Sequence, residues 1–236
     1  VSAKVVSLDK ESKIFPLESL LSARRILTPQ LVNDRIYFIS DMSGMYSLFA
    51  MDKQGSIPEP LLPRGLALQN PHLLGGYNYR VVPSLNKILV MVDKDGDENY
   101  QPCFIPITGG VPKPIFGDQY AGQQLLCLEF DPKTAIAYFL IDDRKTPNQE
   151  TIKVDLRTLE VKSLGTSIYG NYCVGYNSTH DKILLGDTYT ANDDVLYIWK
   201  KGDKERSVLF GTPIEAREEG KDYPLTGFGR CYFIKN

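Results

Sequence analysis

One pattern repeats along this chain and limits what it can become. Ile36 to Asp41 is an apolar run ending in aspartate. A polar turn with Gly44 follows, then Leu48 to Asp52, a turn with Gly55, and a short apolar stretch at Pro60 to Leu62. The pattern returns at Ile88 to Asp93 with Gly96, Cys103 to Pro106, Gly109-Gly110 and Pro114 to Phe116. It returns again at Ala137 to Asp142, Ile152 to Asp155 and Ser163-Leu164. The fourth copy is Ile183 to Asp187, Val195 to Trp199, Gly202 and Val208 to Phe210. The marker aspartates Asp41, Asp93, Asp142 and Asp187 are 52, 49 and 45 residues apart, near the ~40–50 of a four-stranded propeller blade.

Each copy has an earlier apolar run that would form the innermost strand: Ile26-Leu27, Pro71 to Leu74, Leu125 to Phe130 and Tyr172 to Gly175. The runs are short, rich in β-branched and aromatic residues, and bounded by Gly, Pro, Asn and Asp, as strands are. Helical periodicity is confined to Leu17 to Ser22 and Glu215 to Glu219, each enough for a turn or two. One blade cannot bury both faces of its sheet, but a ring of them can. The expected fold is therefore all-β, a β-propeller of four-stranded antiparallel blades. A β-sandwich has no need of four matching units.

The ends fit the same scheme. Cys231 to Asn236 aligns with Ile36 to Asp41, the second strand of a unit, while Val5 to Lys10 aligns with Leu48 to Lys53 and Pro16-Leu17 with Pro60-Leu61. Four complete blades plus half-blades at both ends are expected. Either the halves pair and close a five-bladed ring, or residues 1–236 are part of a larger propeller. A start at Val1 and an end directly after a strand favour the second.

Composition narrows the function. Of 236 residues, 42% are hydrophobic and 24% charged, ordinary globular values that exclude disorder, collagen and coiled coil for the whole chain. No stretch reaches the ~20 apolar residues of a membrane span. The net charge of −2 gives no footing for a polyphosphate, so neither nucleic acid nor membrane is expected as partner. Cys103, Cys127, Cys173 and Cys231 form no CxxC motif and sit in apolar runs, reading as small buried hydrophobes. The compartment stays open, with the cytoplasm preferred.

Candidate sites are few. The two histidines, His72 and His180, are too few for a multi-histidine metal site. His72 either faces a central channel or is an ordinary turn or strand residue. His180, in Ser178-Thr179-His180-Asp181, is expected on the surface of a hairpin. Asp93-Lys94-Asp95-Gly96-Asp97-Glu98 alternates carboxylates as a calcium loop does. Its sixth and twelfth positions are Glu98 and Phe104 instead of Gly and Glu, so a polar hairpin is expected. Asp187 to Asp194 reads as another solvated hairpin. Glu129 and Asp131 flank an innermost strand, where a five-bladed glycosidase would set paired carboxylates. The 14 tyrosines and 10 phenylalanines lie mostly in strands and read as packing residues.

The stretch from Pro16 to Gly117 resembles the start of the propeller domain in the prolyl oligopeptidase family of serine peptidases, in its acylaminoacyl-peptidase-like branch. The resemblance rests on Pro16 to Arg24, on Ser40-Asp41-Met42-Ser43-Gly44 with Leu48 to Asp52, on Asp95-Gly96-Asp97-Glu98-Asn99-Tyr100-Gln101, and on Gly109-Gly110-Val111-Pro112. The Asp-Glu-Asn-Tyr-Gln segment with its Gly-Gly-x-Pro turn is the most specific part; the Ser-Asp-x-x-Gly hairpin is shared with Tol-type propellers. The resemblance thins after Asp118.

It implies a separate α/β-hydrolase domain in the same parent chain, carrying a Gly-x-Ser-x-Gly elbow and its triad. Neither Ser43 nor Ser167 has glycines at that spacing, so no catalytic, cofactor or metal residue is assigned here. The expected function is a non-catalytic propeller admitting short peptides to that hydrolase domain. The alternatives are a stand-alone propeller for protein–protein contact and a five-bladed glycosidase-like enzyme.

Overall fold

The computed structural model describes residues 24–72 and 75–234. They form four separate antiparallel sheets that follow one another along the chain. The first is β1 (Ile26–Val32), β2 (Arg35–Ser40), β3 (Ser47–Asp52) and β4 (Glu59–Pro60). The second holds β5 (Ala67–Leu68), β6 (Tyr79–Val82), β7 (Lys87–Asp93), β8 (Gln101–Pro106) and β9 (Lys113–Pro114). The third is β10 (Gln124–Asp131), β11 (Ile136–Asp142), β12 (Gln149–Asp155) and β13 (Glu160–Ser167). The fourth is β14 (Tyr172–Tyr176), β15 (Lys182–Thr190), β16 (Asp193–Lys200) and β17 (Ser207–Phe210). Sequential four-stranded meanders of this kind are propeller blades, and the four repeats coincide with the four sheets.

Packing explains why second and third strands read as continuous apolar runs. Successive side chains on a strand point to opposite faces, and in the second and third blades both faces meet a neighbour. On β7, Ile88 and Val90 join a buried cluster with Tyr37, Ile39 and Leu48 of the first blade. Leu89 and Met91 turn the other way, toward Phe139, Ile141 and Ile152 of the third. A third cluster sets Ile136 and Tyr138 against Ile183, Leu185, Val195 and Trp199 of the fourth. Each large side chain so buried contributes about 1.5–3 kcal/mol. The blades are also stitched by polar groups. The Tyr79 hydroxyl lies 2.6 Å from the Thr28 carbonyl oxygen and 2.8 Å from that of Tyr37.

The repeat aspartates have a structural role. Asp41 accepts the Arg25 amide at 2.9 Å and Asp187 accepts that of Asn171 at 3.0 Å. In the first and fourth blades the carboxylate near the end of the second strand thus locks the backbone entering the first, while Asp93 and Asp142 accept the Glu98 and Arg144 amides of the loops that follow them. The two motifs most characteristic of the resemblance are also joints. Gln101 donates to the carbonyls of Tyr120 and Gln123 at 3.1 and 2.8 Å, holding the crossover to the third blade. The Gly110 amide donates to Leu61 of the first blade at 2.9 Å. A Cβ on Gly109, where φ is +92°, would stand 2.8 Å from the Leu61 carbonyl oxygen.

Three local expectations are revised. The inner strand of the second blade is made by β5 and β6, which pair with β7 on either side of an excursion; of the expected Pro71 to Leu74, Pro71-His72 is a turn and Leu73-Leu74 lies outside the described residues. Gln69 donates its amide to the Met91 carbonyl, and Met91 donates to the Asn78 carbonyl, both at 2.9 Å. The chain therefore leaves and rejoins the sheet opposite one residue. Cys231 to Ile234 form no strand; the Cys231 amide instead donates to Val174 on β14 at 2.9 Å. Glu215 to Glu219 contribute only the short 3-10 turn Ile214–Ala216. The half-blade at Val5 to Lys10 and Pro16-Leu17, the helical turn at Leu17 to Ser22, and most of Pro16 to Arg24 lie outside the described residues. Among those described, no helix is long and apolar enough to cross a membrane.

Candidate functional site

First strands of neighbouring blades converge, as at a propeller axis. The Tyr77 amide donates to Cys127 on β10 at 2.7 Å, and the Tyr176 hydroxyl donates to Phe130 at 3.2 Å. Against these strands runs the irregular segment 226–231. Arg230 reaches from it to the Glu129 carboxylate at 2.5 Å and to the Tyr77 hydroxyl at 2.7 Å. One arginine thus bridges the second and third blades, while its own backbone is tied to the fourth.

The environment is asymmetric. Glu129 is 6% exposed, whereas half of the Arg230 side chain faces solvent. The hydrogen bond to Glu129 raises the pKa of Arg230, outweighing its partial burial. The Tyr77 ring is braced by the Arg80 guanidinium, 3.3 Å from its centroid, a cation–π stack. Beside them lies a cavity of about 360 Å³, lined among others by Tyr77, Leu128, Glu129, Tyr172, Phe228 and Arg230. Burial pushes the neighbouring Cys127 thiol up to about 12 and that of Cys173 higher still. Neither is a nucleophile at neutral pH.

The other sequence candidates go elsewhere. Glu129 and Asp131 do not work as a pair. Glu129 is held by Arg230, while Asp131 accepts from Thr134 at 2.8 Å, from the Lys133 amide at 2.9 Å and from His180 at 2.9 Å. Acid/base chemistry that needs two cooperating carboxylates is not assembled between them.

His180 is 4% exposed, contrary to the surface position expected. It stacks on Tyr176 with ring centroids 4.7 Å apart and meets the Tyr138 hydroxyl at 2.8 Å. His72 is exposed, on the rim with Tyr46 and Arg25, 2.9 and 3.2 Å from its Nε2.

In the loop after β7, Asp93 accepts the Glu98 amide at 3.2 Å and Asp97 accepts the Asn99 amide at 2.9 Å. Those carboxylates satisfy their own turn. Ser43 donates to the Met45 carbonyl at 3.3 Å and Ser167 to Asp187 at 2.9 Å.

The run from Asp187 to Asp194 is the β15–β16 hairpin expected, exposed at Thr188, Thr190, Ala191 and Asn192, but its aspartates are not solvated. Asp187, Asp193 and Asp194 are buried. Asp187 accepts both terminal nitrogens of Arg206, and Asp193 those of Arg217 at 2.7 and 2.8 Å. Arg230, Tyr77 and Arg80 were not singled out from the sequence. The aromatic–arginine run Tyr77-Asn78-Tyr79-Arg80 is the one local signal that pointed there.

Fold and site together define a β-propeller with polar residues bridging its first strands. No family model matches this sequence, and no curated protein matches it. Solved structures do. TolB from Acinetobacter baumannii is similar with a TM-score of 0.51 and 15% identity, over 81% of this chain and 45% of that one. A puromycin-hydrolysing peptidase of Mycobacterium tuberculosis has a TM-score of 0.55 and 11% identity, over 78% of this chain and 30% of that one. Puromycin hydrolase complexed with PGG also has a TM-score of 0.55, with 14% identity, over 80% of this chain and 33% of that one. The chain spans less than half of each, and at these identities the likeness establishes the fold.

Proposed function

We propose that this chain is the non-catalytic propeller portion of a prolyl-oligopeptidase-like serine peptidase, and that it gates access of short peptides to a separate α/β-hydrolase domain. The observation that carries the reading is the bridging of first strands by Tyr77, Glu129 and Arg230. It leaves about 360 Å³ beside it, room for a few residues of extended peptide and none for a folded domain. The motif resemblance and the likeness to peptidase structures support the class. The mechanism is steric, and the bond-breaking groups belong to the other domain.

Two measurements test this. The chain incubated with short chromogenic peptides should release no product; turnover by the chain unaided would overturn the reading. The genomic sequence downstream should encode a Gly-x-Ser-x-Gly elbow. An uninterrupted stop codon after Asn236 would instead favour a stand-alone propeller for protein contacts. For that second reading there is one structural argument: Val208, Leu209 and Phe210 on β17 are 49–55% exposed, an apolar outer strand suited to a partner.

A further inference from the structure

We propose that Glu129 forms the floor of a subsite for a cationic side chain carried on a short peptide, a subsite filled here by the chain's own Arg230. This goes beyond gating and holds whether or not a hydrolase domain follows. The rigid half of the site is built into the blades. Glu129 is buried on β10, and a buried carboxylate is costly unless a cation meets it. Tyr77, braced by Arg80, supplies a second oxygen 2.7 Å from the guanidinium.

The backbone beside it is shaped for another backbone. A Cβ on Gly175 would stand 2.5 Å from the Cys231 carbonyl oxygen, and one on Gly186 would stand 3.0 Å from the Phe228 ring. Neither glycine has the left-handed conformation that would otherwise account for it. Glycine inside a strand marks a close approach by another chain segment, and here both approaches are made by residues 228–231. The Val174 carbonyl accepts the Cys231 amide at 2.9 Å, the main-chain contact of an added strand.

The other half is of a different character. Segment 226–231 has no regular secondary structure, and its arginine is half exposed. A fixed anionic floor met by a cation on an irregular segment is an exchangeable arrangement. The seated segment defines the ligand class: an aromatic residue, a small residue, then a guanidinium or ammonium side chain at a bend in the backbone.

The test uses the full chain and two probes, acetyl-Phe-Gly-Arg-amide and acetyl-Phe-Gly-Ala-amide, titrated by calorimetry. Arg230→Ala should bind the arginine probe about tenfold or more tighter than it binds the alanine probe, the scale of one charge-assisted hydrogen bond. It should also bind the arginine probe more tightly than the unaltered chain does. Adding Glu129→Gln should abolish the preference. Equal binding of both probes by Arg230→Ala, or equal binding of the arginine probe by variant and unaltered chain, overturns the proposal.

Should Arg230→Ala fail to fold, the unaltered chain still decides the matter. Excess arginine probe should speed alkylation of Cys231 by displacing its segment, and the alanine probe should not. No difference between the two probes overturns the proposal.

Discussion

The imidazole Nε2 of His180 lies 2.9 Å from Oδ2 of Asp131, across the joint between the third and fourth blades. Thr134 Oγ1 stands 2.9 Å from the same nitrogen, and the Tyr138 hydroxyl 2.8 Å from Nδ1. With Asp131 ionised, Nε2 carries the proton and Nδ1 accepts from Tyr138. That phenol stays protonated because burial pushes its pKa up. A second proton on the ring would reverse the Tyr138 bond, with Nδ1 donating to the phenol oxygen.

Burial lowers the pKa of His180, and Asp131 only partly offsets it; Lys153, which donates to the His180 carbonyl at 2.8 Å, adds to the lowering. The stabilisation is therefore present above the unfolded value of about 6.5 and is lost as pH falls through the lower folded value. For Asp131, burial raises the pKa, but hydrogen bonds from His180, the Lys133 amide and Thr134 outweigh it and hold the carboxyl below its usual range. Its contribution is lost at still lower pH. Urea midpoints from pH 8 to 3 should thus fall in two stages. His180→Gln should flatten the upper one; a midpoint rising on acidification through pH 6 would contradict the assignment.

The Asp187–Arg206 pair should be worth far more than the matching aspartate of the first blade. Asp187 is 2% exposed and receives Arg206, Ser167 and the Asn171 amide. Asp187→Ala leaves a half-buried guanidinium and an amide without acceptors, a loss of about 3–5 kcal/mol. Asp41 is half-buried and caps the Arg25 amide, so Asp41→Ala should cost about 1 kcal/mol. Chemical denaturation of the two variants gives the comparison.

Removing one oxygen from Tyr79 tests the stitch between the first two blades. Tyr79→Phe keeps the ring in its apolar cluster but withdraws the hydroxyl from the Thr28 and Tyr37 carbonyls. A buried group left without its partner costs about 1–3 kcal/mol. A variant as stable as the parent would show that water takes over both carbonyls.

Thiol chemistry should single out one cysteine. Cys103, Cys127 and Cys173 are buried and Cys231 is half-buried. Burial pushes the Cys103 thiol up to about 11 and the Cys127 thiol up to about 12. Iodoacetamide on the native protein should label Cys231 first, with the other three reacting only on unfolding. Mass spectrometry of the peptides reads this directly.

The blade pattern was legible because it is local: a strand ending in aspartate, a glycine turn, another strand. What escaped is held together over long sequence distances. Asp187 looks like a loop carboxylate until Arg206, nineteen residues on, is folded over it. His180 looks like a turn residue because the groups that bury it, Tyr138 and Asp131, come from the preceding blade. Pro71-His72, a turn, opens a run apolar enough in sequence to pass for an inner strand. The β-branched run at Val81-Val82 was the better signal, and backbone pairing with Ile88 and Lys87 of β7 selected it. Arg230 and Glu129 are 101 residues apart, and nothing local marks either as the other's partner.

The break in the second blade's inner strand has a consequence for how such a scaffold can vary. Gln69 and Asn78 both fasten to Met91, and the Asn78 side chain ties to the Gln69 carbonyl at 2.9 Å. The neck of the excursion is clamped independently of its contents. Lengthening a loop twofold costs only about 0.6 kcal/mol, so insertions between Asn70 and Gly75 would leave every ladder in register and Tyr77 on Cys127. The axial end of this blade is thus a splice point ahead of Gly76, where evolution or an engineer can add residues while Tyr77 keeps its place on the third blade.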